Sequence, residues 1–140
     1  MPLNNYISVF DDNRESVVSE ENGRKHTGIN TGMCRVIQYR VDGVILINQK
    51  ACDYIVLNEK KKTAYLIELK GNKINEAADQ LLETYKTLKQ YLRGYKLHFR
   101  IVASKAKTHN IRSAAFRKIK GELMKIGSFD MKNKELTENI

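Results

Sequence analysis

Between Cys52 and Leu92 the hydrophobic period changes once, and that change limits the fold more than any other feature of the chain. "CDYIVLN" (52–58) and "AYLIELK" (64–70) alternate at the two-residue period of strands. Only the polar "EKKKT" (59–63) separates them, which predicts a hairpin. After Gly71 the apolar residues recur three and four apart: Ile74, Ala77, Ala78, Leu81, Leu82, Tyr85, Leu88 and Leu92 form one stripe. The spacing predicts a helix over 74–93, capped near Asn72 or Asn75 and stopped by Gly94. "KLHFRIVAS" (96–104) alternates again, so the helix is a crossover to a strand that can lie parallel to its neighbour.

The flanks complete the order. Residues 11–22, "DDNRESVVSEEN", read as a short acidic helix, and the glycine-containing 23–33 as a loop. "CRVIQYRV" (34–41) reads as a strand and "VILIN" (44–48), after the turn signal Asp42-Gly43, as a second short strand. Residues 109–127 carry a stripe of Ile111, Ala114, Ala115, Ile119, Leu123 and Ile126 and read as a second helix, which Gly121 weakens. The last dozen residues are polar, an edge strand or a loose tail. The expected class is α/β, an α+β mixed sheet with packed helices. The expected organisation is one domain over 1–140: an N-terminal helix and loop (1–33), a core (34–104) and a basic C-terminal helix and tail (105–140).

Charge is unevenly placed. Residues 1–70 hold 10 Lys/Arg against 9 Asp/Glu, and residues 71–140 hold 15 against 7, so the total of +9 lies almost wholly in the second half. That asymmetry points to a polyanion, most often nucleic acid. Lys73, Lys105, Lys107, Arg112, Arg117 and Lys118 are the candidate phosphate contacts, with a solvated helix face as their ordinary reading. No apolar run approaches the roughly 18–20 residues of a membrane span. The first residues lack the charged start and apolar segment of a secretory signal. Cys34 and Cys52, with no zinc-type spacing, fit two buried thiols in a reducing cytoplasm.

Within the hairpin, one face of 64–70 carries Ala64, Leu66, Glu68 and Lys70, and one face of 52–58 carries Asp53, Ile55 and Leu57. Setting Leu57 opposite Ala64 sets Ile55 opposite Leu66 and Asp53 opposite Glu68. A slip by one residue would send Asp53 to the other face. Two opposed carboxylates repel, so a cation is expected between them. Lys70 is one candidate and a divalent metal the other. Mg²⁺ prefers one or two carboxylates with water and phosphate oxygens. A carboxylate pair, a lysine and a basic surface suit metal-assisted attack of water on a phosphodiester.

Taken together, "CDYIV" and "IELKG" resemble the PD-(D/E)XK motif of the restriction-endonuclease-like nucleases. Asp53 matches the first acid, Glu68 the second and Lys70 the lysine. The family core, helix, three strands, helix, strand, is the order read over residues 11–104. The resemblance implies that Asp53, Glu68 and the backbone carbonyl of Leu69 hold Mg²⁺ or Mn²⁺, and that Lys70 is the catalytic lysine. Cys52 stands where the motif has proline. Many members add a glutamate from the first helix, for which Glu15, Glu20 and Glu21 are candidates. Some carry a Gln-x-x-x-Tyr segment; Gln80 and Tyr85 are five apart, a poor match, but Gln80 lies where it could reach the site.

The expected function is therefore a Mg²⁺- or Mn²⁺-dependent nuclease acting on DNA in preference to RNA. A chain this short has little room for a sequence-reading domain, so specificity would come from DNA structure, dimerisation or a partner protein. The alternatives are a catalytically inactive nucleic-acid-binding or accessory module on the same fold, and an interaction domain whose basic face meets an acidic protein.

Overall fold

The computed structural model describes residues 2–71, 73–104 and 108–140. Their elements run β1 (Phe10–Asp12), β2 (Ser16–Glu21), β3 (Arg24–Ile29), β4 (Val36–Arg40), β5 (Tyr54–Asn58), β6 (Thr63–Lys70), α1 (Ile74–Leu88), β7 (Lys96–Ala103), α2 (Thr108–Ile111), α3 (Ala114–Ile126), β8 (Ser128–Asn133) and β9 (Glu135–Asn139). The class is mixed α+β, with two sheets. A six-stranded sheet has the order β1-β4-β5-β6-β7-β8, and a three-stranded sheet the order β2-β3-β9.

The central hairpin forms in the expected register: Leu57 pairs with Ala64 and Ile55 with Leu66. The helical crossover delivers β7 parallel to β6, with Glu68 beside Ile101 and Lys70 beside Ala103. Alternation then divides the core. Ile55, Leu57, Ala64 and Leu66 join the cluster that α1 and α3 cover with Ala77, Ala78, Leu81, Phe116 and Leu123. Val56, Tyr65, Ile67 and Leu69 join a second cluster, closed by Val17, Leu136 and Ile140 of the small sheet and the residue that follows it. The six-stranded sheet is thus buried on both faces, which is why its middle strands read as nearly continuous apolar runs.

Four expectations fail for identifiable reasons. Residues 11–22 are not a helix: they form β1 and β2. Asn22 (φ 49°) and Gly23 (φ 80°) are both left-handed, the signature of a tight Asn-Gly hairpin turn joining β2 to β3. Glu21 pairs with Arg24 across that turn, and β3 takes up most of the segment expected as loop. Val17 and Ser19 point inward while Ser16, Val18 and Glu20 face solvent, a two-residue alternation that local charge disguises as helix.

Residues 44–48 form no strand either. The N–H groups of Val44, Ile45 and Leu46 all converge on the carbonyl of Val41, at 3.2, 3.0 and 3.0 Å. Ile45 and Leu46 are buried in a coiled turn, where Leu46 makes an isolated bridge to Asp42 and joins no named strand. The expected cap positions of α1 also fail: Asn72 lies outside the described residues, Asn75 is inside the helix, and Lys73 occupies the N-cap without a side-chain bond. The helix ends at Leu88, and a 3-10 turn over Lys89–Leu92 carries the chain to Gly94.

The expected second helix is broken in two. Ser113 interrupts it and caps α3, its Oγ accepting the N–H of Phe116 at 3.2 Å. Ile111, Ala114 and Ala115 are exposed, and Phe116 and Leu123 are the residues that enter the core. Gly121 sits inside α3 without breaking it. The polar tail folds as β8 and β9, which run parallel to β7 and β3.

A buried charge network ties β9 down. Arg100 of β7 donates Nε and Nη2 to Glu138 at 2.7 and 3.0 Å, and His26 Nε2 lies 2.8 Å from the same carboxylate. The His26 and Arg100 bonds hold the Glu138 carboxyl well below the usual range, to about 2, against the opposing effect of its burial.

Candidate active site

The site lies at the end of β5 and β6 where the two layers meet. Asp53 immediately precedes β5, and its N–H donates to Ile67 at 3.0 Å while its carbonyl accepts from Val41 at 2.9 Å. Its backbone is therefore held on both sides. Its side-chain Oδ2 accepts the N–H of Leu69 at 2.8 Å. Glu68, Leu69 and Lys70 are the last residues of β6, so the first acid is bonded to the peptide between the second acid and the lysine.

Glu68 is 3% exposed and Asp53 6%. Burial, followed by the charge of Asp53, pushes the Glu68 carboxyl up to about 9, with Lys70 opposing. Burial also raises Asp53, to about 6, assisted by Glu21 and opposed by the Leu69 N–H and Arg40. Glu68 Oε1 is buried with no hydrogen-bond partner. Its other oxygen faces Gln80, whose amide, oriented with nitrogen toward its acceptors, donates to Glu68 Oε2 at 3.0 Å and to the Glu76 carbonyl at 3.2 Å. A carboxylate so enclosed must either hold a proton or meet a cation.

The helix that carries Gln80 is fixed to the strand. Thr84 Oγ1 accepts the N–H of Cys52 at 2.8 Å and donates to the Gln80 carbonyl at 2.7 Å. Cys52, in the motif's proline position, is fully buried, and burial raises its thiol far above the ordinary range. It is an inert spacer whose backbone N–H does the positioning.

A cleft of about 340 Å³ opens onto these groups. Asp53, Glu68, Leu69, Lys70 and Gln80 all line it, so the structure brings together the core of the expected site. Lys70 Nζ lies 3.3 Å from the exposed Glu76. Of the three candidate first-helix acids, only Glu21 lines the cleft. It arrives from a hairpin tip, because the expected helix does not exist. Glu20 points to solvent from the opposite face of β2, and Glu15 is exposed, its backbone carbonyl accepting from Asn30 at 2.8 Å.

The expected phosphate contacts scatter. Lys73 borders a neighbouring cavity of about 430 Å³ at the start of α1, shared with Asn75 and Asn110. Arg112, Arg117 and Lys118 are exposed around α3 and do not line the cleft. Lys105 and Lys107 lie outside the described residues.

Three cleft or rim residues escape the sequence reading. Arg40 at the end of β4 lies 3.5 Å from Asp53 Oδ1 and 3.6 Å from Glu21 Oε1. Asp42 and Arg24 line the cleft itself. "ENGR" was the available signal for Arg24, since an Asn-Gly turn places the residues flanking it side by side at a hairpin tip. Arg40 is legible only once its pairing with Tyr54, next to Asp53, is known.

Among the described residues, no three His, Cys, Asp or Glu side chains stand together as a ready metal-holding group. No family model, curated protein or solved structure is found to match the chain.

Proposed function

We propose that this chain is a metal-dependent nuclease hydrolysing phosphodiester bonds of DNA, ahead of RNA, on a restriction-endonuclease-like core whose first helix is replaced by the β2–β3 hairpin. The observation that carries this reading is the meeting of Asp53, Glu68 and Lys70 in one cleft at a sheet end, with one oxygen of a buried Glu68 unpaired. That oxygen supports a fit to Mg²⁺ or Mn²⁺, which needs only one or two carboxylates from the protein. Asp53, Glu68 and the Leu69 carbonyl would hold the ion. When bound, it would supply a positive charge that polarises the phosphate and acidifies water.

The chain's own residues do the rest. The Leu69 N–H holds Asp53 by Oδ2, while Oδ1 lies 3.5 Å from Arg40 Nη2. Gln80 orients Glu68 from the helix side. The ammonium of Lys70 positions the attacking water and offsets negative charge growing on the phosphate oxygens. Its link to the exposed Glu76 is weak enough to exchange for substrate.

A second reading is an inactive nucleic-acid-binding or accessory module. Arg40 favours it, because its guanidinium already supplies a cation to Asp53. No helix among the described residues is long and apolar enough to cross a membrane. The free, buried thiols of Cys34 and Cys52 support a cytoplasmic setting. Specificity would come from DNA structure, a homodimer or a larger partner.

The deciding experiment incubates pure protein with plasmid, single-stranded DNA, branched DNA and RNA, in Mg²⁺, Mn²⁺ or EDTA. Cleavage that requires metal and disappears in Asp53→Asn, Glu68→Gln and Lys70→Met is the expected result. Cleavage that survives all three substitutions overturns the site. Binding without cleavage in any metal selects the accessory module.

A further inference from the structure

The cleft holds two lysine- or arginine-type cations, and they are situated differently. Lys70 has a carboxylate, Glu76, at 3.3 Å. Arg24, at the foot of β3, has no carboxylate within ion-pair distance among the described residues, although Glu21 is its cross-strand partner. Glu21 turns instead to Arg40. The Arg24 guanidinium is nonetheless anchored: Nη1 donates to Ser104 Oγ at 2.7 Å, at the end of β7. Ser104 is itself tied to the site strand, its N–H donating to the carbonyl of Gly71 at 2.8 Å. Nε is buried with no acceptor.

An arginine with one neutral anchor, no carboxylate within ion-pair distance among the described residues and an unpaired buried N–H, in a cleft that Glu21, Asp42, Asp53 and Glu68 also line, is an incomplete electrostatic unit. The missing element is an anion. A phosphate oxygen suits the planar, permanently charged guanidinium best. We infer that Arg24 is a phosphate-binding residue of this cleft, contacting a backbone phosphate of the nucleic-acid strand on the hairpin side of Asp53 and Glu68.

The inference rests on the nuclease reading for the kind of substrate, and on the cleft geometry for the residue. It gives the β2–β3 hairpin a role beyond packing. The tight turn carries Glu21 toward the acids and Arg24 toward the substrate, one from each side of the same two-residue tip. Arg24 is a substrate-positioning residue, not a group that moves a proton.

The test measures binding of a labelled DNA duplex and a labelled single strand by fluorescence anisotropy, in Ca²⁺ to hold the complex uncleaved, across a salt series. Cleavage kinetics in Mg²⁺ and thermal melting accompany it, for wild type, Arg24→Ala and Arg24→Lys. Arg24→Ala is expected to weaken binding roughly tenfold and to flatten the log–log salt dependence by about one phosphate contact. KM should rise more than kcat falls. Arg24→Lys should restore the salt slope and part of the affinity, and both variants should melt within a few degrees of wild type, because the one bond they lose, Nη1 to Ser104 Oγ, is neutral at its acceptor and only partly buried, and Nε has no partner to lose.

Unchanged affinity and slope in Arg24→Ala overturn the inference, whether or not the wild type cleaves. A loss that Arg24→Lys fails to restore in slope also overturns it. Wild-type binding that depends on Arg24 without cleavage in any metal retains the phosphate contact and removes the nuclease reading. Cleavage with unchanged KM in Arg24→Ala does the reverse. No wild-type binding to either DNA removes both.

Discussion

Asp53 Oδ2 accepts the backbone N–H of Leu69 at 2.8 Å, so one carboxylate of the cleft is held by the peptide that separates the other carboxylate from the lysine. The bond locks Asp53 to the end of β6, between Glu68 and Lys70. Asparagine retains the acceptor and removes the charge; alanine removes both. At neutral pH Asp53→Ala is expected to be about 1–3 kcal/mol less stable than Asp53→Asn, the cost of a buried unpaired N–H. Urea denaturation of the two variants measures this. Equal stability would mean that the bond does not hold the site together.

Glu68 gives the protein an unusual dependence on pH. Its carboxyl is raised in the folded state to about 9 from 4.5, so the folded protein binds this proton more tightly than the unfolded chain. Stability from this group is full below the unfolded value and is lost as pH rises through the folded one. Asp53, raised to about 6, adds a smaller loss of the same sign at lower pH. In metal-free buffer the wild type should therefore lose stability between about pH 5 and pH 9. Glu68→Gln should flatten that slope and be more stable than wild type at pH 8, by on the order of 1–3 kcal/mol. Parallel pH profiles of melting temperature for the two proteins would refute the assignment.

Divalent metal should reverse the same trend. Cation binding requires deprotonated carboxylates, so its stabilising effect grows with pH. Mg²⁺ or Mn²⁺ at about a hundredfold excess over its dissociation constant should add roughly 2.7 kcal/mol to wild-type stability at pH 8. The increment should be smaller at pH 6 and absent from the Asp53→Asn/Glu68→Gln double variant. An equal increment in that double variant would place the metal elsewhere.

The hairpin tip can be probed without touching a charged group. Gly23 has φ 80°, and a methyl added there would meet no atom within 4 Å. The cost of Gly23→Ala is then conformational alone, about 1–2 kcal/mol. Because Glu21 and Arg24 flank the turn, the cost should appear in function as well as in stability: an increase in KM at temperatures where the variant remains folded. Unchanged KM with reduced stability would show that the tip does not position substrate.

What was legible in the sequence divides along a physical line. Leu57 opposite Ala64 and Ile55 opposite Leu66 were readable because a buried hairpin punishes any other register. The stripe from Ile74 to Leu88 was readable because six of its residues, Ile74, Ala77, Ala78, Leu81, Leu82 and Leu88, are buried in one core. Asp53, Glu68 and Lys70 followed from that register. The N-terminal segment misled because Asp11, Asp12, Glu15, Glu20 and Glu21 resemble a charged helix face, and the Asn22-Gly23 turn signal was read as the edge of a loop. Ser113 was missed as a helix break because its cap bond to Phe116 interrupts an otherwise regular stripe. The strands near the C-terminus carry few apolar residues; Leu136 and the neighbouring Ile140 act through a partner sheet that local pattern does not reveal.

The parallel pairing of β3 with β9 carries a consequence for the order of folding. His26 and Glu138 meet across a separation of 112 residues, and Gly28 lies so close to Ile140 that an added Cβ would meet its side chain at 2.8 Å. Strands β4 to β6 close through connections of 13 and 4 residues, whereas the hairpin bearing Glu21 and Arg24 gains its third strand only through the far longer closure from Ile29 to Glu135. The acids on the central hairpin should consequently find their geometry first, and the arginine side of the cleft last. An early folding ensemble would hold the two carboxylates without the hairpin wall of the cleft, so maturation of the cleft would be a late kinetic event, distinct from formation of its acidic floor.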